Sequence, residues 1–395
     1  MVKEEKKNLT SLYSLVLAAY WMSSCCCVGM SIVYLKSLSY NNFEAGVIVA
    51  MASLFGTLLG MSLSSLIDRK ENISSKTFPV PMIIIQGVML GLLFIISKND
   101  LFTAVIYIIY SLICTALGSL LIKVYVDLNH QGYPIDYSFA RGIGSFAYVI
   151  ISLILGRLMS TFSERVILYV AAFIVAFELI TVSIISGYIK KTDQEAIENN
   201  GFSMAEFMRH NHGYMKIIIG VILMFYAHCI ATSFMVNIVT ALGGNNATVG
   251  YLTGFMAAVE IPVALLYSKF FKDHTRALKI ASISMSLKAI AIALAFNIPL
   301  LFLATVLQAP SFALYMTCIV PYAEKNIAYR DSAKAQSLAF SAMNIASIIA
   351  SVIGGYLFDL ISVRNNLYFS TVISILGTFL VLYTLGKEKN GKDPY

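Results

Sequence analysis

The sequence predicts an all-α membrane protein with twelve transmembrane helices in two six-helix bundles. Two features of the composition predict the membrane. Of the 395 residues, 58% are hydrophobic and only 12% are charged, whereas about 25% are charged in a typical soluble domain. The third feature is spacing, because apolar runs long enough to span a bilayer recur from end to end of the chain. With a mean hydropathy of +0.78, the chain is expected to cross the lipid bilayer many times.

Twelve apolar segments follow a short charged tail, and one long polar stretch, 189–213, divides them equally. This stretch predicts a cytoplasmic loop between an N-terminal bundle, 1–188, and a C-terminal bundle, 214–395. Because transporters with parallel repeats are built from two such halves, we expect a substrate site between them near the midplane. The predicted segments are 9–34, 43–66, 79–97, 101–127, 137–160, 165–187, 214–240, 247–270, 277–296, 299–323, 333–357 and 367–386.

Basic residues sort to one side of the predicted membrane. With both termini in the cytoplasm, most of the 28 lysines and arginines fall in cytoplasmic loops, as the positive-inside rule requires. The net charge of +7 therefore reflects membrane orientation, and no nucleic acid is expected as a partner. The pattern predicts a multi-pass protein of the cell membrane (inner or plasma). Five other basic residues fall outside, and three cations remain within or near the membrane: Lys123, Arg141 and Lys288.

Enzymatic function is not predicted. The sequence has neither a P-loop nor a nucleophile elbow, so an ATP-driven pump and a hydrolase are both disfavoured. The six cysteines lack the spacing of a metal site, and the pair His210 and His212 is not a metal site on its own. We therefore expect no cofactor and no metal, and we expect a monomer.

Arg141 is the most informative residue of the chain, because a charge within an apolar segment needs a partner, water or a task. It is followed by the small residues Gly142, Gly144 and Ser145, which let another helix approach closely. One interpretation is a snorkelling arginine that reaches lipid headgroups. The interpretation we favour is an arginine facing a cavity, where its planar fork binds a carboxylate or adjacent hydroxyls of a substrate. Tyr148 then either stacks on a ring of the substrate or serves in packing.

Glu260 is the main candidate for carrying a proton. It lies midway along the eighth segment, just before Pro262, where the loss of hydration favours the neutral form of a carboxyl group. The alternative is a structural ion pair, for example with Lys288 of the ninth segment. Glu178 lies equally deep in the sixth segment, where a structural or interhelical role is as plausible as a role in transport.

The other candidates are weaker. Lys123 and Asp127 lie one helical turn apart and are expected to pair with each other or with Arg141. His228, the only histidine within an apolar segment, serves either in packing or in binding a substrate or a proton. Gln308 is a further candidate for substrate binding. Tyr20 and Trp21 are candidate lining residues, although interfacial anchoring competes for the tryptophan.

Four stretches, 45–69, 140–148, 250–288 and 335–359, resemble the major facilitator superfamily. Within it they resemble the group of lactose permease and oligosaccharide:proton symporters, and the related proteins of the phenylpropionate-permease type. The resemblance implies a role for five residues. Asp68 and Arg69 match a cytoplasmic gate, and Arg141 matches a sugar-binding arginine. Tyr148 matches the aromatic residue seven positions later, and Lys288 matches a cation linked to coupling.

The sequence departs from the galactoside permeases at several positions. The carboxylate that pairs with the arginine there falls near Lys123, and Asp127 could replace it one turn on. The histidine and glutamate used there for coupling correspond roughly to Gln308 and Ser311. We therefore do not expect typical recognition of galactosides.

These observations predict a secondary transporter that couples the uptake of a small solute to protons by alternating access. The expected substrate is polar or carries a ring, such as a sugar, a glycoside or an aromatic acid. One alternative is proton-driven efflux of sugars or drug-like compounds. An alternative of another class is a membrane sensor or scaffold that binds a ligand without moving it.

Overall fold

The computed structural model describes residues 8–69, 74–96, 98–189, 204–328 and 331–389. All regular elements among them are helices. The chain forms two compact units, Met1–Ile197 and Glu198–Tyr395.

Among the described residues, six helices build the N-terminal unit. The first, α1, is interrupted by a π-helical turn and consists of Thr10–Ser24, Cys25–Gly29 and Ser31–Ser37. The others are α2 (Asn42–Arg69), α3 (Pro79–Ile95), α4 (Leu101–His130), α5 (Tyr137–Thr161) and α6 (Val166–Ser186).

Six helices also build the C-terminal unit, after a short helix, Met204–His210, that the sequence did not predict. Three of them contain breaks. These are α7 (His212–Ser233 and Met235–Ala241), α10 (Ile298–Thr305, Val306–Gln308, Ala309–Ala313 and Leu314–Asn326) and α11 (Ser332–Ile349, Ala350–Gly354 and Gly355–Leu360). The uninterrupted helices are α8 (Asn246–Phe270), α9 (His274–Leu294) and α12 (Val363–Lys389).

The twelve helices confirm the predicted fold class. Eleven of them are long and apolar enough to cross a membrane, and the twelfth, α3, is apolar but has only 17 residues. The predicted polar loop, 189–213, is tested only in part, because 190–203 lie outside the described residues.

Several helices begin where a short polar side chain caps them. Asp100, Asp136, Asn245, Asp273 and Asn297 each accept a hydrogen bond from the backbone N–H three residues later. This bond satisfies a donor that has no partner within the helix. In the loops, it holds the pKa of Asp100 and of Asp273 below the ordinary value for aspartate. These caps explain why α4, α5, α8, α9 and α10 begin at those positions.

Small residues bring the helices of each unit close together. In the N-terminal unit, α1 packs on α5 and α6, α2 packs on α4, and α3 packs on α4 and α6. In the C-terminal unit, α7 packs on α11 and α12. A Cβ added at Gly377 of α12 would lie 2.5 Å from the carbonyl oxygen of Gly220 in α7. Only glycine permits these two backbones to approach so closely.

Candidate functional site

Arg141 lies in the second turn of α5 and stacks on an aromatic ring. Its guanidinium carbon is 4.1 Å from the ring centroid of Trp21 in α1. Its Nη1 donates a hydrogen bond of 3.0 Å to Oγ of Ser145, one turn further along α5. A cation over the face of an indole ring is attracted by the negative charge of that face. The arginine is half-buried. The ring of Trp21 and the hydroxyl of Ser145 are partners of the kind that a charge within an apolar segment needs.

A glycine makes this stacking possible. A Cβ added at Gly144 would lie 2.5 Å from Cδ1 of Trp21 and 3.3 Å from the carbonyl oxygen of Leu17. The missing side chain therefore lets the indole lie directly against α5. Tyr148 meets the same indole edge-on, with 6.3 Å between ring centroids, and Tyr20 does so at 5.4 Å. Arg141, Trp21 and the two tyrosines form what we call the arginine–indole cluster.

Lys123 and Asp127 form a salt bridge within α4, with 3.2 Å between Nζ and Oδ1. This is the first of the two pairings that the sequence suggested. Asp127 is buried and Lys123 is half-buried. Asp127 therefore offsets the charge of Lys123, which lies near the position where the galactoside permeases have a carboxylate.

The predicted gate residues, Asp68 and Arg69, lie in the last turn of α2. Their side chains are outside the described part of the structure. Their role as a cytoplasmic gate stays a prediction.

Four predicted residues of the C-terminal unit lie in one chain of hydrogen bonds. The Nζ atom of Lys288 lies 2.7 Å from Nδ1 of His228 and donates to Oε1 of Gln308 at 2.8 Å. The amide Nε2 of Gln308 then donates to Oε1 of Glu260, also at 2.8 Å. The four residues come from α7, α9, α10 and α8, and we call them the polar chain. Tertiary packing thus joins residues that are up to 80 positions apart in the sequence.

The polarity of the polar chain follows from what each group can donate. A lysine ammonium only donates and a carboxylate only accepts. The amide of Gln308 therefore presents its oxygen to Lys288 and its nitrogen to Glu260, so it bridges a cation to an anion. The Nδ1 atom of His228 accepts from Lys288, which assigns the ring hydrogen to Nε2. The ion pair between Glu260 and Lys288 that the sequence suggested is thus mediated by Gln308.

The hydrogen bonds of the polar chain are important because they join buried or half-buried side chains. Lys288 is 1% exposed and Gln308 is 2% exposed, whereas Glu260 is half-buried. A charge removed from water is tolerated only where good hydrogen bonds replace its hydration. An aromatic side chain covers the other end of the polar chain. The His228 ring stacks on Phe312 with 4.7 Å between centroids and an interplanar angle of 16°.

Irregular backbone surrounds the polar chain. Gln308 ends the short 3₁₀ turn Val306–Gln308 and is followed by the π-helical turn Ala309–Ala313. Pro310 lies in this turn and lacks a backbone donor, which favours such a break. Single π turns inside α-helices occur frequently at functional sites. This break was not predicted from the sequence, although Pro310 is a signal for it.

A small cavity adjoins the chain between α7, α9 and α12. Its volume is about 10 Å³, which is close to the space needed for one water molecule. Lys288 and His228 line it together with Ser370 and Thr371 of α12. The cavity therefore offers polar groups of three helices to a single water.

The described residues include no group of three or more histidine, cysteine, aspartate or glutamate side chains that could hold a metal ion.

Comparison with known proteins identifies the fold. Residues 217–394 match the family model described as Major Facilitator Superfamily. Over the whole chain, a crystal structure of a mutant of the nucleoside transporter NupG has a TM-score of 0.79 at 14% identity, covering 94% of this chain and 98% of the other. The chain has the major facilitator fold.

Other solved structures with this fold are similar as well. The POT family transporter PepTSo has a TM-score of 0.75 at 10% identity and covers 98% of this chain and 99% of its own. A bacterial homologue of the human lysosomal transporter Spinster, in an inward-facing and unoccupied state, reaches 0.68 at 12% identity, with 95% of this chain and 96% of its own covered. No curated protein sequence matches the chain.

The fold is that of these solved membrane transporters, and residues 217–394 match the family model. These matches do not distinguish the group of lactose permease and oligosaccharide symporters. The resemblance to that group stays a prediction.

Proposed function

We propose that this protein is a secondary transporter of the cell membrane that couples the uptake of a small solute to protons by alternating access. The observation that carries the proposal is the polar chain, in which Gln308 connects the half-buried Glu260 to the buried Lys288. The expected solute is polar or carries a ring, such as a sugar, a glycoside, a nucleoside or an aromatic acid.

Glu260 is the proposed proton carrier. As a carboxylate it accepts the amide N–H of Gln308 and offsets the charge of Lys288 across that amide. When Glu260 binds a proton, the carboxyl becomes neutral, so the buried cation loses this compensation. The polar chain then favours a different arrangement, and a group that prefers one arrangement shifts the equilibrium between two states. Coupling arises if the two arrangements bind the solute with different affinities.

The arginine–indole cluster is the proposed contact for the solute. The guanidinium of Arg141 uses one donor on Ser145, and its geometry suits pairs of oxygen atoms on a ligand. Trp21 and Tyr148 provide ring surfaces beside it. A solute with a ring and several hydroxyls fits both features. The structural similarity to a protein described as a nucleoside transporter adds nucleosides to the compounds that should be screened first.

The decisive experiment uses purified protein in proteoliposomes with an imposed pH gradient. A thermal-shift screen of sugars, nucleosides and aromatic acids first supplies a ligand, because a specific ligand stabilises the native state. We expect Glu260→Gln to abolish accumulation driven by the gradient while exchange of the solute across the membrane continues. The matched control is Glu324→Gln, an exposed glutamate of α10 in the same unit, which should behave like the wild type.

Three outcomes would contradict parts of the proposal. If Glu260→Gln still accumulates the solute, Glu260 does not carry the proton. If addition of the solute outside does not acidify the vesicle interior, the protein is not a proton symporter of that solute. If the solute binds but never crosses the membrane, the protein is a sensor or a scaffold.

A further inference from the structure

A buried glutamate in the N-terminal unit lies outside both clusters. Glu178 is in the middle of α6 and is 0% exposed. Helix α6 packs there against α1 and α3. The Ser23 hydroxyl of α1 approaches its carboxyl group, and Nε2 of Gln86 in α3 donates to Oγ of Ser23 at 3.2 Å. All three side chains are completely buried, so they form one polar cluster at the junction of three helices.

This cluster is short of hydrogen-bond donors. Among the described residues, neither carboxyl oxygen of Glu178 has a hydrogen-bond partner of regular geometry, and Oε1 of Gln86 has none either. Buried acceptors are nearly always satisfied in native proteins. Protonation of Glu178 would give the cluster one more hydrogen-bond donor, because it converts an oxygen of the carboxyl group from an acceptor into a donor.

The charges near Glu178 also favour its protonated form. Within the described part of the chain, no lysine or arginine pairs with Glu178. An ionised carboxylate that is buried without a cation is strongly unfavourable, and such a group normally takes up a proton instead.

We propose that Glu178 is a proton-binding site of the N-terminal unit, separate from Glu260, whose carboxyl O–H donates to the amide oxygen of Gln86. On release, the proton passes to water and a carboxylate remains between α1, α3 and α6. The carboxylate repels the amide oxygen of Gln86 and requires hydration, so its formation opens the junction of α1, α3 and α6.

The titratable neighbours of Glu178 connect it to the arginine–indole cluster. Tyr20 and Cys27 of α1 are close enough to interact with it electrostatically, and Cys114 of α4 interacts with both of them. From α5, Arg141 interacts with Tyr20. From α3, the cluster receives the amide already described. The proton site is therefore coupled to the helix that carries the indole.

Trp21 provides a direct readout. It is the only tryptophan of the sequence, it lies two residues before Ser23, and its ring contacts those of Tyr20 and Tyr148. Any displacement of α1 when Glu178 ionises should change the emission of this single fluorophore.

The experiment is a pH titration of Trp21 emission in purified, detergent-solubilised protein, without solute and without a gradient. We expect the wild type to show a reversible transition that is absent in Glu178→Gln, which has nearly the same shape but cannot ionise. Glu324→Gln, at an exposed glutamate outside both clusters, is the control and should keep the transition. Because no transport is measured, failure of the role proposed for Glu260 would not affect this result.

Infrared spectroscopy gives a second measurement. The wild type should show one more protonated carboxyl group than Glu178→Gln. It should differ from Glu324→Gln only by the exposed carboxyl group that this substitution removes. If Glu178→Gln does not fold, Gln86→Leu serves instead, because it removes the acceptor assigned to the proton and should move the midpoint of the transition by about one pH unit. Equal carboxyl signals, a wild type without a transition, or a transition that persists in Glu178→Gln would each overturn the proposal.

Discussion

At the scale of single residues, the protein accommodates the cations within its helices in different ways. Lys288 receives two hydrogen-bond acceptors, from His228 and Gln308. Arg141 instead places its flat guanidinium on the ring of Trp21 and makes a hydrogen bond to Ser145. The difference follows from chemistry, because an ammonium is a compact and strongly hydrated charge whereas a guanidinium is planar and more weakly hydrated.

The stacking of Arg141 leads to a prediction. Arg141→Lys keeps the charge but loses the planar face and the two-point geometry, so we expect the affinity for the solute to fall about tenfold or more, equivalent to roughly 1.4 kcal/mol or more. Arg157→Lys is the matched control, since this exposed arginine lies at the other end of the same helix. The measurement is a binding isotherm with the ligand found by thermal shift. Equal losses in both variants, or none in Arg141→Lys, would remove Arg141 from the binding site.

At the scale of helices, close approach depends on single glycines. Gly144 gives the indole of Trp21 access to α5, and Gly220 and Gly377 bring α7 and α12 into backbone contact. Without a hydrophobic driving force between helices in lipid, such packing is a main source of helix association. Regular helices alone do not form the sites, however, since the 3₁₀ turn Val306–Gln308 and the π turn Ala309–Ala313 place Gln308 at a break in α10.

Two glycines of α5 offer a test of this packing. Gly144→Ala should destabilise the protein by about 1–3 kcal/mol, because the new methyl group overpacks against Trp21. Gly142→Ala should leave stability unchanged or slightly raise it, since no atom lies within 4 Å of the added Cβ and alanine favours the helix. Thermal unfolding in detergent compares the two variants, and Trp21 emission should change only in the first. Equal stability of both would show that α1 is free to move away from α5.

At the scale of the whole molecule, the two units carry different chemistry on the same helical plan. The N-terminal unit contains the arginine–indole cluster and the Lys123–Asp127 pair, whereas the C-terminal unit contains the polar chain. The family model matches only within the second unit, at residues 217–394. The first unit lies outside that match, and its fold is identified by the solved structures that cover 94% or more of the chain.

The predicted orientation is also a property of the whole chain. With both termini in the cytoplasm, alkaline phosphatase fused after Ser163, between α5 and α6, should be active because it is exported. The same enzyme fused after Gly132, between α4 and α5, should be inactive, and a fluorescent protein fused to the C terminus should fluoresce. The reversed pattern would refute the orientation inferred from the basic residues.

Most residues of the candidate site could be predicted from the sequence, but the contacts between them could not. Glu260, Lys288, His228 and Gln308 stand out in the sequence because polar side chains are costly in lipid. Their connection through Gln308 was not predictable, since it depends on four helices and on a break in α10. The short helix Met204–His210 was also missed, because its surroundings read as a polar loop.

By itself, the sequence determined the membrane class, the twelve apolar segments and the positions of the embedded charges. These properties follow from local composition, because the length of an apolar run and the cost of a charge in lipid depend on the residues themselves. Only the tertiary structure decided the partners of those charges. It assigned Trp21 to Arg141 through the space left by Gly144, because contacts between helices depend on the shapes that pack together and not on the spacing along one chain.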